Sequence, residues 1–424
     1  MYKFKNTLIT GFALFSLFFG AGNLILPPFL GFNAGNDWYI VALGFLLSGV
    51  ILPIMAIFAH ARLQGTMYDF AKKVSPVFSI IYCLCIYCIS VALPAPRTAS
   101  VTHEIAIGPF FGTAPWVTSS IYFALVLLFA LNRSKILDIL GKLLTPLIII
   151  ILLLIIGIGS FTATDAILQP GTYKIPLISG LIEGYQTFDA IGGVVVGGVI
   201  IISLNLKGYN SFKEKKQLIS NAGLLAGLGL LTIYAGLIYT GALYGNAFSK
   251  DITRVELLTG VSIKTLGNIG TTFLSVLVSL ACFTTAVGII TGTADYFKGL
   301  FKDSHIVYVI TAIIASVLGV LMGTFDVHYI IDIALPALMF IYPVTIALIL
   351  LNILPERYTR VLVFRTVIIT TLIFSYPDFL DSLGYGAKVE SIKQLLPLGN
   401  YNLAWLLPSL VIFVILNIPN FKKR

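Results

Sequence analysis

Charge is scarce in this chain. Asp, Glu, Lys and Arg make up 11% of its 424 residues, against 58% hydrophobic. A water-soluble chain of this length needs a far more polar surface, so that class is excluded. Apolar runs of 18 residues or more recur, and the mean hydropathy is +0.98. Those runs define a polytopic membrane protein. A membrane β-barrel would show alternation of apolar and polar residues over about 10 positions. Runs such as 143–161 do not alternate. The spans must then be helices, because lipid offers no partner to backbone N–H and C=O groups.

Cysteine and histidine are rare too, four of each. Cys83, Cys85 and Cys88 share one apolar run and Cys282 lies in another, with no histidine or carboxylate close by in the run. That pattern reads as small, soft packing residues rather than metal ligands. There is no His-x-x-x-His pair, Walker sequence, serine-hydrolase elbow or Rossmann fingerprint. No soluble stretch is large enough to hide an ATPase. A membrane enzyme finds no acid–base or nucleophile constellation here, and ATP-driven pumping is excluded.

What charge there is has a pattern. Twelve spans are expected near residues 7–30, 37–59, 76–107, 117–132, 143–161, 181–206, 217–244, 269–297, 304–323, 330–353, 362–376 and 402–418. The net charge is +9, from 27 basic and 18 acidic residues. Only Lys174, Lys250, Arg254, Lys264, Lys388 and Lys393 fall on the loops of one side, and Arg97 falls within a span. The other basic residues, among them Arg133, Lys135, Lys142, Lys207, Lys422, Lys423 and Arg424, fall on the opposite side with both termini. This is the positive-inside bias of a plasma-membrane protein, and it needs no anionic partner such as nucleic acid. Lys3 and Lys5 before an apolar stretch resemble a secretory signal. No small-residue cleavage site follows, and the apolar character continues to Phe32, so a retained first span is expected.

That first span is weakened where it should be strongest. "LFSLFFGAGNLILPPFLGF", Leu14–Phe32, carries Gly20-Ala21-Gly22-Asn23 and then Pro27 and Pro28. A second weakened stretch opens span 6, "EGYQTFDAIGGVVVGGVIII", with Gln186, Thr187, Phe188 and Asp189 before Gly192-Gly193. A carboxylate inside an apolar run is a functional candidate by default. Spans 1 and 6 each begin a set of five. An odd number of spans per repeat inverts the second set and brings the two breaks together at mid-membrane, as in secondary transporters. Breaking a helix frees N–H groups on one side and C=O groups on the other. The N–H groups of Gly20, Ala21 and Gly22 suit a carboxylate, and glycine lets it approach the backbone. The carbonyls near Ser16 to Phe19 suit an ammonium or a hard cation. Together the two kinds of group fit an amino acid zwitterion.

Span 8 reads "ACFTTAVGIITGTADYF", Ala281–Phe297. The Ala281 carbonyl and the Thr284 and Thr285 hydroxyls stand at i, i+3 and i+4, on one helix patch. With two carbonyls from the span 1 break they would make a five-oxygen cage for Na⁺. The alternative is that each threonine only bonds the carbonyl one turn earlier.

"FFGAGNLILPP", "LPAPRTASVTHE", "GYQTFDAIGG" and "ACFTTAVGIITGTADYF" occur in the order and spacing of one family. On these motifs the chain resembles the bacterial branched-chain amino acid:cation symporters, within the amino acid–polyamine–cation superfamily. The resemblance implies an all-α fold of twelve transmembrane helices, a five-plus-five inverted repeat of the LeuT type with helices 1 and 6 broken. The repeats would be residues 1–161 and 181–353, with 362–424 appended. It implies Na⁺-coupled import of leucine, isoleucine and valine across the bacterial cytoplasmic membrane. It places the substrate carboxylate on the amides of Gly20-Ala21-Gly22-Asn23, and Na⁺ on Ser16, Phe19, Ala281, Thr284 and Thr285. Gln186, Thr187, Phe188 and Asp189 align more loosely as pocket residues, and Phe18, Phe19 and Phe188 offer apolar walls.

Several readings stay open at this point. Asp189 is a structural partner, a pocket wall or a proton site. Arg97 and Glu104, seven residues apart on one helix face, pair with each other or each with another helix, as a structural tie or as an outer gate. Proton coupling through Asp189 or Glu104, with another small neutral amino acid as substrate, is the alternative to Na⁺. A channel or a non-transporting receptor is the alternative class. Gly193/Gly197, Gly223/Gly227 and Gly288/Gly292 are expected to pack helices within the chain.

Overall fold

A computed structural model describes residues 2–132, 136–162, 169–206, 209 and 211–421. The basic residues Arg133, Lys135, Lys207, Lys422, Lys423 and Arg424 lie outside the described residues. All regular structure among the described residues is helical. The first part comprises α1 (Tyr2–Phe18), α2 (Ala21–Ala34), α3 (Trp38–Leu46), α4 (Leu52–Leu63), α5 (Met67–Lys72), α6 (Pro76–Ala92), α7 (Pro94–Thr102), α8 (Gly108–Phe111), α9 (Pro115–Asn132) and α10 (Ile136–Thr162). The second comprises α11 (Pro176–Tyr185), α12 (Asp189–Leu206), α13 (Phe212–Leu243), α14 (Arg254–Leu300), α15 (His305–Met322) and α16 (Val327–Ile353). α17 (Val361–Leu380), α18 (Gly386–Leu395) and α19 (Leu406–Phe421) complete the chain.

By length and apolarity, nine helical stretches among the described residues can each cross a membrane, or ten if the bent pair α11–α12 is one span. The sequence leads one to expect twelve. The difference has two sources. α1 stops after 17 residues at the break, while α2, α3 and α4 run on as one 43-residue stretch, Ala21–Leu63. The apolar part of α19, Leu406–Ile418, is shorter than the rest. Pro27 and Pro28 do not end α2, which continues to Ala34. α14 is two helices in line, kinked at Gly267, whose φ of 70° and ψ of −175° are open chiefly to glycine.

Lipid is as apolar as leucine, so helices in a membrane associate through close packing at small residues. α2 and α13 touch backbone to backbone. A Cβ at Gly31 would fall 1.8 Å from the Ile238 carbonyl oxygen, and one at Gly241 1.9 Å from that of Pro28. Gly193 and Gly197 lie against Pro53, Ala56 and His60 of α4, and Gly223 and Gly227 against Ile57 and Ile54. Those two pairs pack inside the chain, as expected. Gly288 and Gly292 do not, for nothing lies within 4 Å of a Cβ at either. Large apolar side chains such as Leu125, Leu128, Ile150, Ile314 and Leu321 point outward, onto the surface that lipid covers.

Candidate functional site: where two interrupted helices meet

α1 ends at Phe18, closed by the Phe19 N–H on the Phe15 carbonyl at 2.8 Å. Gly20 is extended, with φ −112° and ψ −169°, and α2 starts at Ala21. Glycine is about 1 kcal/mol worse than alanine in a helix interior, so Gly20 and Gly22 mark the weak point. Asn23 Oδ1 accepts the Gly20 N–H at 3.1 Å. This is half of a capping box, since glycine has no side chain to return the bond. The unwound stretch is thus only Phe19–Gly20. Ala21, Gly22 and Asn23 form the first turn of α2, where N–H groups lack helical partners.

α11 and α12 meet at 42° across residues 186–188. The turn is tight, with Gln186, Thr187 and Phe188 N–H bonding Glu183, Gly184 and Tyr185 carbonyls. Thr187 Oγ donates to the Gly184 carbonyl at 2.8 Å and accepts from the Asp189 N–H at 3.2 Å, capping α12. Asp189 then sits in the first turn, where the helix dipole favours a carboxylate. Phe188 adopts φ 63°, a left-handed conformation that is an outlier for a bulky residue.

The two interruptions are joined by side chains. Asn23 Nδ2 donates to Asp189 Oδ2 at 2.6 Å and also to the Tyr234 hydroxyl. Tyr234 donates to the same Asp189 oxygen at 3.0 Å. Phe18 lies 3.9 Å from where a Gly192 Cβ would sit. Phe19 turns its ring into the core, stacked on Phe15 at 5.1 Å and on Tyr234 at 6.4 Å. Of the residues expected to meet substrate, Asn23 and Thr187 are engaged in this framework, and Gly20 spends its N–H on Asn23. Ala21, Gly22, Gln186 and Phe188 surround the junction.

Arg97 and Tyr234 reach this junction without having been expected there. Arg97 is 3% exposed. Its Nη1 donates to the Gln186 carbonyl at 2.7 Å, and its guanidinium lies 5.3 Å from the centroid of the Phe188 ring. It presses on Gly22 so closely that a Cβ there would stand 2.4 Å from Nη2. Glu104 instead accepts the Val327 N–H at 2.8 Å, at the start of α16. Arg97 and Glu104 therefore each pair with another helix. The signal for Arg97 was in the sequence, as a basic residue deep within an expected span.

The expected cation residues also converge. Ser16, Phe19, Ala281 and Thr284 line one small cleft together with Phe15, Thr145 and Ile148, with about 10 Å³ open to the centre of a water-sized sphere. That is room for about one water or one small ion. Thr285 stands beside the same break, its Oγ 3.9 Å from a Gly20 Cβ position. Both threonine hydroxyls donate to the Ala281 carbonyl, at 2.9 and 3.0 Å. That engages the carbonyl and turns the hydroxyl lone pairs away from it. Thr145, from α10, is a further cleft residue. No cluster of three or more His, Cys, Asp or Glu able to hold a metal occurs among the described residues.

The fold has a solved counterpart. The solved structure of Mhp1 in its inward-facing conformation superimposes with a TM-score of 0.58 at 13% identity, covering 97% of this chain and 90% of that one. In sequence, residues 3–423 match the family described as branched-chain amino acid transport protein, and the chain belongs to that family. It is 34% identical over 418 residues to the branched-chain amino acid permease BraB of Bacillus subtilis, covering 96% of this chain and 94% of that protein. It is 32% identical over 417 residues to the branched-chain amino acid transport system 2 carrier protein of Pseudomonas aeruginosa, covering 97% and 95%. The relatives are permeases and carriers, so this is a multi-pass membrane transport protein and not an enzyme.

Proposed function

We propose that the chain is a Na⁺-coupled symporter that imports leucine, isoleucine and valine by alternating access. The observation that carries this reading is the cleft at the end of α1. It gathers Ser16, Phe19, Ala281, Thr284 and Thr145 from three helices beside the break that faces α12. Neutral oxygens with no carboxylate suit a monovalent hard cation. An ion held there ties α1 to α14 and steadies the break on which substrate binds. Coupling follows if ion and substrate stabilise the same arrangement of α1 and α2. The substrate class follows from the family and from the apolar walls Phe18 and Phe188. One methylene is worth only about 1–3 kcal/mol in such a pocket, so leucine, isoleucine and valine compete.

In this reading α1–α2 and α11–α12 are the two discontinuous spans of a twelve-span, five-plus-five inverted repeat. Residues 1–161 and 181–353 form the repeats, 362–424 is appended, and both termini lie on the cytoplasmic side of the inner membrane. Proton coupling is the second reading, favoured by the buried carboxylate of Asp189 at the junction. Leucine counterflow and uptake in proteoliposomes decide between them. Uptake should follow an imposed Na⁺ gradient and ignore an imposed pH gradient. The double variant Thr284→Ala/Thr285→Ala should raise the Na⁺ concentration for half-maximal uptake at least about tenfold, since it removes two oxygen ligands. Unchanged Na⁺ dependence in that variant removes the cleft from the mechanism. Accumulation that follows only the pH gradient replaces Na⁺ with H⁺.

A further inference from the structure

Arg97 was left to pair with Glu104 or with another helix, as a structural tie or an outer gate, and it lies at the meeting of the two breaks. A buried guanidinium is expensive unless all its fork is used. Here Nη1 has the Gln186 carbonyl, while Nε is buried with no hydrogen-bond partner among the described residues. Gln186, itself 4% exposed, has a buried Oε1 that is likewise without one. Asp189 is near enough for its charge to act on Arg97, but no direct ion pair between them occurs among the described residues. The guanidinium presses on Gly22, in the first turn of the 14-residue α2, where the N–H groups lack helical partners. The guanidinium atom nearest Gly22 is Nη2, which makes no hydrogen bond among the described residues, so a free cationic donor lies against a helix N-terminus. Both are chemistry for an anion, and the planar fork of arginine matches the two oxygens of a carboxylate. Gly22 is the residue that lets the two meet, because any side chain there would occupy the guanidinium's place.

We propose that Arg97 is the side-chain anchor of the substrate α-carboxylate, gripping it together with the Ala21 and Gly22 amides. The inference rests on the amino acid reading above and adds a charged side chain to the main-chain groups that the sequence suggested for the zwitterion. Arg97 holds the α11 carbonyl end through Gln186 while it grips the anion. Substrate then bridges α2 to α11 through one guanidinium. A role confined to capping α11 or balancing Asp189 makes a different forecast, since it has no preference for ligands bearing a carboxylate.

The test compares leucine with leucinamide, which keeps the side chain and ammonium but loses the anion. Apparent affinities come from ligand-induced thermal stabilisation of the purified full-length protein in saturating Na⁺, for wild type, Arg97→Gln and Arg97→Lys. A charge-assisted bidentate contact predicts a wild-type preference for leucine of roughly 100-fold or more. Arg97→Gln should cut that preference at least about tenfold, mainly by weakening leucine, and Arg97→Lys should fall between because lysine presents no fork. A leucine-to-leucinamide ratio unchanged in Arg97→Gln overturns the proposal, even if both ligands weaken together. If Arg97→Gln does not stay monodisperse, an unchanged ratio in Arg97→Lys overturns it instead. A wild-type protein that leucine does not stabilise removes the amino acid reading and this inference with it. Failure confined to the ratio removes this inference alone.

Discussion

Two of the protein's buried polar clusters differ in how completely they are matched. One is the junction of Asn23, Arg97, Gln186, Asp189 and Tyr234. The other lies between α17 and α18. There the Lys393 ammonium donates to Asp381 and, at 2.7 Å, to Asn402, and stands 3.7 Å from Asp378 Oδ1. Asp378 Oδ2 in turn accepts the Ala404 N–H at 3.2 Å. The second cluster is made by residues close in sequence, and its single cation has three partners. The junction is made by residues 45 to 211 positions apart. It leaves a buried donor and a buried acceptor unused. A cluster whose one cation is fully engaged serves as a staple, although Asp378 Oδ1, 3.7 Å from the Lys393 ammonium, has no hydrogen bond of its own. An incomplete one is complementary to something that arrives.

The largest expected effect follows from removing the centre of the junction. Asp189→Ala removes the acceptor that the Asn23 amide and the Tyr234 hydroxyl share in a dry interior. It should abolish leucine uptake and lower stability by about 2–4 kcal/mol, read by uptake in proteoliposomes and by thermal unfolding in detergent. Wild-type uptake in this variant would break the comparison outright. Lys393→Met comes next. It strands Asp378 and should cost about 3 kcal/mol of stability, while uptake per folded protein stays unchanged. Adding Asp378→Asn should recover a good part of the loss. If Lys393→Met folds well but stops transport, the staple is part of the machinery and the contrast fails. Thr145→Ala, which takes one oxygen from the cation cleft, should raise the half-saturating Na⁺ concentration by about three- to tenfold with little change in leucine affinity at saturating Na⁺. The smallest effect should come from Gly288→Ala. Its Cβ meets nothing, so the variant should be neutral or up to about 1 kcal/mol more stable. The same change at Gly31 drives a methyl into the Ile238 carbonyl and should prevent normal assembly, visible as loss of the monodisperse peak.

Much of the site was legible because its signals are local. Gly20 and Gly22 in an apolar run, Asp189 beside Gln186 and Thr187, and the Ala281-x-x-Thr284-Thr285 spacing each announce themselves within a few residues. Their convergence followed from counting spans. The parts that stayed hidden depend on partners distant in sequence. Nothing near Tyr234 says that its hydroxyl meets Asn23, 211 residues away, and nothing near Arg97 says that it lies on Gly22. Thr145 looks like any threonine in an apolar helix until α10 is placed against the end of α1. The length of the first break was overestimated for a different reason. The run Gly20-Ala21-Gly22-Asn23 suggested a break reaching Asn23, but the Asn23 side chain reaches back to Gly20 and the chain winds into α2 at Ala21. The expectation about glycine pairs failed only at Gly288/Gly292, because a small-residue stripe does not say which face of its helix is covered.

Phe188 carries a consequence for motion. A left-handed conformation costs an ordinary residue about 1–2 kcal/mol, and glycine would hold the same turn at no such expense. The chain tolerates the penalty at the joint between α11 and α12, where the ring also lies beneath the Arg97 guanidinium. The joint is therefore wound like a spring, with the aromatic ring as its catch. A ligand that takes hold of Arg97 bears directly on the ring that covers this joint, and a glycine at 188 would release the backbone penalty held there.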